Sequence, residues 1–187
     1  DKPVALVERA MASFLGIRAW GGHLNGYVRK ADGLHMWIAR RAFDKPTYPG
    51  LLDNMVAGGQ PHGINCLDNM VKECWEEAGI PEAIARNMHP TGAIAYAHQW
   101  EPGLKPDEMF TFDLELPEVF QPRNTDGEVA EFMLLPIDEV MRLVRDTTEF
   151  KYNCNLCIID FLIRHGLLTP DNEPDYMEIC RGLRGNG

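Results

Sequence analysis

The stretch that decides the reading is Gly58-Gly59-Gln60-Pro61-His62-Gly63-Ile64-Asn65-Cys66-Leu67-Asp68-Asn69-Met70-Val71-Lys72-Glu73-Cys74-Trp75-Glu76-Glu77-Ala78-Gly79-Ile80. Its second half predicts a helix over Asn65 to Ala78, closed by Gly79 and Pro81. On that helix Glu73, Glu76 and Glu77 stand at i, i+3 and i+4 and share one face. Leu67, Met70, Val71, Cys74 and Ala78 form the apolar stripe beside it. Like charges at this spacing repel. A cation relieves the repulsion, and carboxylate oxygens suit Mg²⁺ or Mn²⁺, ions that also clamp phosphates. The bland alternative is a solvated acidic helix face. The glycine-rich entry before the helix favours the chemical reading.

Around this stretch the chain reads as mixed α/β. A helix is expected over Val4 to Leu15, then strands over Ala19 to Arg29 and Leu34 to Ala42, with a turn at Ala31-Asp32-Gly33. Ala42 to Gly50 reads as a loop and Leu51 to Ala57 as a short strand. Past the quoted helix come a short helix from Pro81 to Met88 and a strand pair, Thr91 to Trp100 and Met109 to Leu116. The intervening segment with Pro102, Gly103 and Pro106 reads as a loop. Pro117 to Gly127 is irregular, Glu128 to Leu135 a strand, and Pro136 opens a helix through Arg145. Two further helices, Asn155 to His165 and Asp175 to Leu183, belong to a helical extension over 151–187. A single domain over 1–187 is expected, with an N-terminal helix within 1–16.

Composition bounds the function. The chain has 187 residues and a formal charge of −10, which argues against a nucleic-acid backbone as partner. The longest apolar run, Ala93 to Ala97, is far short of the roughly 20 residues of a membrane helix. Five cysteines with no secretory signal pattern suggest reduced thiols in the cytoplasm. Cys154 and Cys157 are a lone CxxC pair, read as buried small side chains rather than a zinc site.

The quoted stretch resembles the Nudix box, G-x5-E-x7-R-E-U-x-E-E-x-G-U, where U is aliphatic. Gly58, Glu73, Glu76, Glu77, Gly79 and Ile80 match it. Ile64, Lys72 and Cys74 depart from it, replacing a glutamate, the arginine and an aliphatic residue. Lysine keeps the cation but loses the planar fork, and the missing glutamate removes a brace of the loop. The resemblance continues through Arg18 to Val28, Trp37 to Ala42, Asp44 to Thr47, Leu52 to Gln60 and Asp160 to Gly166. These segments are similar to a branch often labelled thiamine-pyrophosphokinase-related, whose plant and fungal members hydrolyse diphosphates of thiamine and its damaged analogues.

The resemblance implies a Nudix α/β/α sandwich with a mixed sheet. It implies a metal-dependent hydrolase that cleaves a small organic diphosphate to monophosphate and phosphate. Glu73, Glu76, Glu77 and Gly58 would hold Mg²⁺ or Mn²⁺, with Lys72 steadying the carboxylates. Gly58, Gly59, Arg40, Arg41 and Lys45 would meet the substrate, at most one of the two arginines facing the cleft. Trp100, or Trp20 or Tyr96, could stack on a ring. Asp126 and Glu128 are candidate general bases, as are Glu76 and Glu77 themselves. Ala57 and Gly59 occupy places where isopentenyl-diphosphate isomerase has a cysteine and a histidine, which argues against isomerase chemistry. Hydrolysis of ADP-ribose or a nucleotide sugar stays open, as does a non-catalytic ligand-binding module. The sequence sets no oligomeric state.

Overall fold

The computed structural model describes residues 5–100 and 103–184, apart from the side chain of Trp100. The described elements run α1 (Arg9–Leu15), β1 (Trp20–Lys30), β2 (Gly33–Arg41), β3 (Leu52–Asn54), β4 (Val56–Gly59), α2 (Cys66–Ala78), α3 (Glu82–Ala85), β5 (His89–Trp100), β6 (Gly103–Glu115), β7 (Val129–Pro136), α4 (Ile137–Asp146), α5 (Tyr152–Arg164) and α6 (Tyr176–Arg184).

The seven strands make one mixed sheet in the order β3-β2-β1-β6-β5, with β4 also paired to β1 and β7 to β2. Hairpins β1–β2 and β5–β6 are antiparallel, whereas β1 and β6 run parallel from Trp20↔Glu108 to Tyr27↔Glu115. The partners of β1 change along its length. Its C-terminal half pairs with β2, and its N-terminal half pairs with β4 through Gly21↔Gly59 and Leu24↔Val56. Along one edge β2 passes from β1 to β3, while β7 pairs with its other edge from His35 to Arg41. So β1 and β2 part company at one end of the sheet. Met55 carries the chain across from β3 to β4 there.

Alternation along the strands splits the core into two layers. On one face Leu24, Val28, Trp37, Val56, Phe112 and Leu114 pack against Met70, Val71, Cys74 and Ala78 of α2. On the other, Tyr27, Met36, Ile38 and Leu52 pack against Val140 and Leu143 of α4 and Cys154, Ile158 and Phe161 of α5. Helices therefore cover both faces, the α/β/α sandwich expected from the sequence. α2 starts on an Asn65 side chain that accepts from the Asp68 N–H at 2.9 Å, and ends at Gly79 with φ 63°.

Four expectations need correction. The segment around Gly103 and Pro106 is strand, not loop: β5 and β6 pair continuously from Trp100↔Gly103 to Ala93↔Phe110. Pro106 is tolerated because β1 joins the other edge of β6 only from Glu108 onward, so upstream of that point no neighbour needs its missing N–H. The single strand over Leu51 to Ala57 is two strands, broken at Met55 where the chain changes partners. Among the described residues the N-terminal helix begins at Arg9, with Ala5 to Glu8 outside it and the expected start at Val4 outside the described residues, and α5 begins three residues early, at Tyr152.

Candidate active site

Helix α2 lays its acidic edge along the loop that leaves β4. Glu73 packs directly over Gly58. A β-carbon there would sit 2.4 Å from Glu73 Cδ and 2.9 Å from its Oε1, so only glycine admits the carboxylate. Glu77 turns under the helix, is buried, and its Oε2 accepts the Ala57 N–H at 2.9 Å. Glu76 points outward to an ion pair with Lys72, whose Nζ also lies 3.5 Å from Glu73 Oε1. Of the predicted set, the structure thus brings Glu73, Glu77, Gly58 and Lys72 together, with Glu76 at the rim. The three carboxylates turn to different partners rather than converging on one point.

The charge of this group is poorly answered. Burial pushes Glu77 up to about 8, and the charges of Asp53, Glu73 and Glu128 push the same way, against one backbone N–H. Burial likewise raises Glu73, with Glu76 and Glu128 adding to it and Lys72 opposing. Two desolvated carboxylates beside one half-exposed lysine are oxygen donors of the kind a hard divalent cation takes. Glu73, Glu76 and Glu77, with the backbone of Gly58, are the groups that would hold it.

The loop lacking its glutamate is braced by other residues. Asn69, fully buried on α2, donates from Nδ2 to the Gly59 carbonyl at 3.0 Å. Gln60 donates from Nε2 to the Ile64 carbonyl at 2.7 Å. The other end of α2 is held by 117–127: Arg123 N donates to the Ala78 carbonyl and Thr125 Oγ1 to the Trp75 and Glu76 carbonyls. That leads the chain straight to Glu128, which pairs with Lys45. Asp126 is turned back on its own loop, its Oδ1 accepting the Glu128 N–H at 2.8 Å.

The two arginines differ. Arg41 is tied down, with Nη1 on Asp53 Oδ2 at 2.9 Å, Nε on the Tyr48 carbonyl at 3.0 Å and Nη2 on the Thr47 carbonyl at 2.8 Å. It organises the β2–β3 loop. Arg40 donates to the Gly50 carbonyl at 3.0 Å and lies 3.7 Å from Glu131. A bulge against β7 falls between them. Trp20 donates to Glu108 at 2.7 Å. The side chain of Trp100 lies outside the described residues.

Sequence reading missed the group on the opposite face. There Asp53 meets Arg41 at 2.9 Å and Lys151 at 3.4 Å, and its Oδ1 accepts from the Cys154 thiol at 2.8 Å and the Asn54 N–H at 2.9 Å. His23 Nδ1 is 2.9 Å from Asn54 Oδ1, and Asn54 donates to Asn25. Among the described residues His23, Asp53 and Cys154 bring ligand atoms within 4.8 Å of one another. They do not fit a cation. Arg41 and Lys151 already answer the Asp53 charge, and burial pushes the Cys154 thiol well up, away from the thiolate a metal needs. No sequence signal marks this group, because residues near 23, 53 and 151 meet only in the fold.

No protein-family model matches the chain. In sequence it is 48% identical over 178 residues to "Nudix hydrolase 20, chloroplastic" of Arabidopsis thaliana, and 46% identical over 178 residues to "Nudix hydrolase 24, chloroplastic" of the same plant. Each match covers 95% of this chain, and the chain spans about half the length of these curated relatives, 47% and 48%. In structure it is similar to the NUDIX domain of Shewanella oneidensis NrtR complexed with ADP ribose, with a TM-score of 0.63 at 8% identity over 85% of this chain and 99% of that one. The layered fold is that of the Nudix structures it resembles, and in sequence the chain is similar over 95% of its length to parts of two proteins named as Nudix hydrolases.

Proposed function

We propose that this domain is a metal-dependent hydrolase of a small organic diphosphate, thiamine diphosphate or an oxidised analogue, cleaved to the monophosphate and inorganic phosphate. The observation that carries the hydrolase reading is the seating of two desolvated carboxyl groups, Glu73 directly over Gly58 and Glu77 on the Ala57 N–H, side by side on α2. The names of the curated relatives support it. The choice of thiamine rests on the resemblance of the flanking segments to that branch.

Bound Mg²⁺ or Mn²⁺ would supply Lewis acidity, neutralising diphosphate charge and making water more acidic. The protein's part is to hold and orient. Glu77 is fixed by the Ala57 N–H and Glu73 by its seat on Gly58. In this reading a carboxylate takes the proton from the attacking water, and Glu128, on the loop that holds the end of α2, is the candidate favoured over Asp126, which is turned back on its own loop. Water adds to the terminal phosphorus, the bond to the bridging oxygen breaks, and the monophosphate leaves with that oxygen. Lys45, paired with Glu128, and Arg40, beside Glu131, are the cations this reading assigns to the charge of the departing phosphate.

The test is product release from thiamine diphosphate and oxidised analogues, ADP-ribose, nucleotide sugars and isopentenyl diphosphate, each with Mg²⁺ or Mn²⁺. A kcat/KM advantage of about tenfold or more for the thiamine series, roughly 1.4 kcal/mol of discrimination, is expected. The same advantage for ADP-ribose or a nucleotide sugar overturns the substrate and leaves a Nudix hydrolase. No hydrolysis of any diphosphate overturns the activity and leaves a binding module.

A further inference from the structure

At the same end of the sheet, on the α5 face, lies a concentration of rings and charges that the carboxylate helix does not use. Across the β5–β6 hairpin, Tyr96 stands opposite Asp107 and His98 opposite Lys105, so all four project from one face of the pair. Tyr152, in the first turn of α5, meets Tyr96 edge-on at 5.9 Å and stacks on His98 at 5.4 Å. Lys105 Nζ lies 5.8 Å from the ring centroid of Tyr48, which comes from the β2–β3 loop. The Tyr96 hydroxyl donates to Asp107 Oδ2 at 3.3 Å and accepts from Asn153 Nδ2 at 3.2 Å. These residues are not core. Tyr152 is 50% exposed, and Tyr48, Tyr96, His98, Lys105 and Asp107 are half-buried.

Three features set the group apart from ordinary surface. Asp107 and Lys105 are partly stripped of water: burial pushes the carboxyl up and the ammonium down. Tyr48 is a non-glycine residue at φ 52°, held there by the bond from Arg41 Nε to its carbonyl. Residues so constrained gather at ligand-holding loops. Finally, contacts lead from the group toward the carboxylate helix: Asn153, which donates to the Tyr96 hydroxyl at 3.2 Å, also brings its Nδ2 within 3.5 Å of His23 Nε2. In register, Ala57, which holds Glu77, sits directly opposite His23 of the Asp53 network.

We propose that Tyr48, Tyr96, Tyr152, Lys105 and Asp107 form the recognition site for the organic group of the substrate, a flat heteroaromatic ring that carries both hydrogen-bond donors and acceptors. This rests on the diphosphate reading for the rest of the ligand. The tyrosines offer faces and edges for the ring. Asp107 accepts from an exocyclic amine and Lys105 donates to a ring nitrogen. A half-dry setting strengthens both bonds over their worth in open solvent.

The experiment uses rings without phosphate and protein without metal, so that it does not depend on hydrolysis. Thiamine and adenosine are titrated against the protein and followed by saturation-transfer NMR and calorimetry. Saturable binding of one of them, weakened about tenfold or more by Asp107→Asn and by Tyr152→Ala, is expected. Both variants should melt close to wild type, since Tyr152 is half exposed and an amide oxygen at 107 still accepts from the Tyr96 hydroxyl. The ring that binds identifies the substrate series. Binding of neither ring, or binding indifferent to both variants, overturns the proposal even if diphosphates are hydrolysed. Ring binding of the expected kind without any diphosphate hydrolysis upholds this site and removes the hydrolase reading instead.

Discussion

Two carboxylates are buried at the same end of the sheet, Glu77 on α2 and Asp53 on β3, and the protein holds their protons in opposite ways. Burial would raise both. Glu77 has one backbone N–H for a partner and carboxylates for neighbours, and it rises to about 8. Asp53 sits with Lys151, a thiol donor and Arg41, which together overrule its burial and hold it at about 2. Asp53 is a finished structural joint. Glu77 is an unfinished site that stays charged at neutral pH only when something positive joins it. Buried acids of equal standing thus separate into structure and chemistry by the company they keep.

The largest effect should come from breaking the finished joint. Asp53→Asn leaves Arg41 and Lys151 buried without a counter-charge, a loss of about 3–5 kcal/mol. Chemical denaturation measures it, and a loss below about 1 kcal/mol would dissolve the contrast. Glu77→Gln is expected to do the reverse. The amide oxygen still accepts the Ala57 N–H and no ionisable group is left buried there, so the melting temperature should hold or rise. Turnover should nevertheless fall by two or more orders of magnitude, about 2.7 kcal/mol or more, because charge stabilisation at the diphosphate is lost. Glu76→Gln should follow it in turnover. Wild-type rates in both would remove these glutamates from the mechanism.

The two regions were also unequally legible. α2 could be read because its chemistry and its packing lie within one helix: the acids at 73, 76 and 77 flank an apolar stripe, between an Asn65 cap and a Gly79 exit. The order of elements followed from the same periodicities. The parallel pairing of β1 with β6 could not be read, since it joins residues 88 apart with no turn to announce it. For the same reason the Asp53 network was invisible, although Arg41, one of the two arginines named as candidate phosphate contacts, is part of it. The substitution of Ile64 for the box glutamate looked like a loss of bracing. Asn69 and Gln60 hold the same loop from positions that carry no motif signal.

Acid should sharpen the comparison from the other side. His23 is buried against Asn54, and burial first, then Lys151, lowers it from 6.5 to about 4. The fold therefore keeps the neutral ring while the unfolded chain takes up a proton. This stability is complete above pH 6.5 and is lost as pH falls toward 4, with about 2 kcal/mol gone between pH 7 and pH 5. His23→Gln should flatten that slope in a pH series of melting curves. An unchanged slope would show that other groups set the acid response. Next in size is the metal. Mg²⁺ or Mn²⁺ at ten times its dissociation constant should stabilise by about 1.4 kcal/mol. Glu77→Gln should abolish this gain, whereas a gain that survives in that variant would place the ion elsewhere.

The smallest effect is expected at Lys72, the cation that stands where the box has arginine. Its ion pairs with Glu76 and Glu73 lie at a half-exposed rim, where such pairs contribute less than about 1 kcal/mol. Lys72→Ala should therefore barely move the melting temperature. Its effect belongs to turnover, because Lys72 is the one cation that faces both Glu76 and Glu73 among the described ion pairs of α2. Without it the carboxylates repel and splay, and a fall of about tenfold is expected. Lys72→Arg restores the charge and adds a planar fork able to hold both carboxylates at once, so its rate should stay within about threefold of wild type. An Ala variant faster than the Arg variant would show that the position needs space rather than charge, and the lysine would then be an accident of the sequence rather than a working replacement.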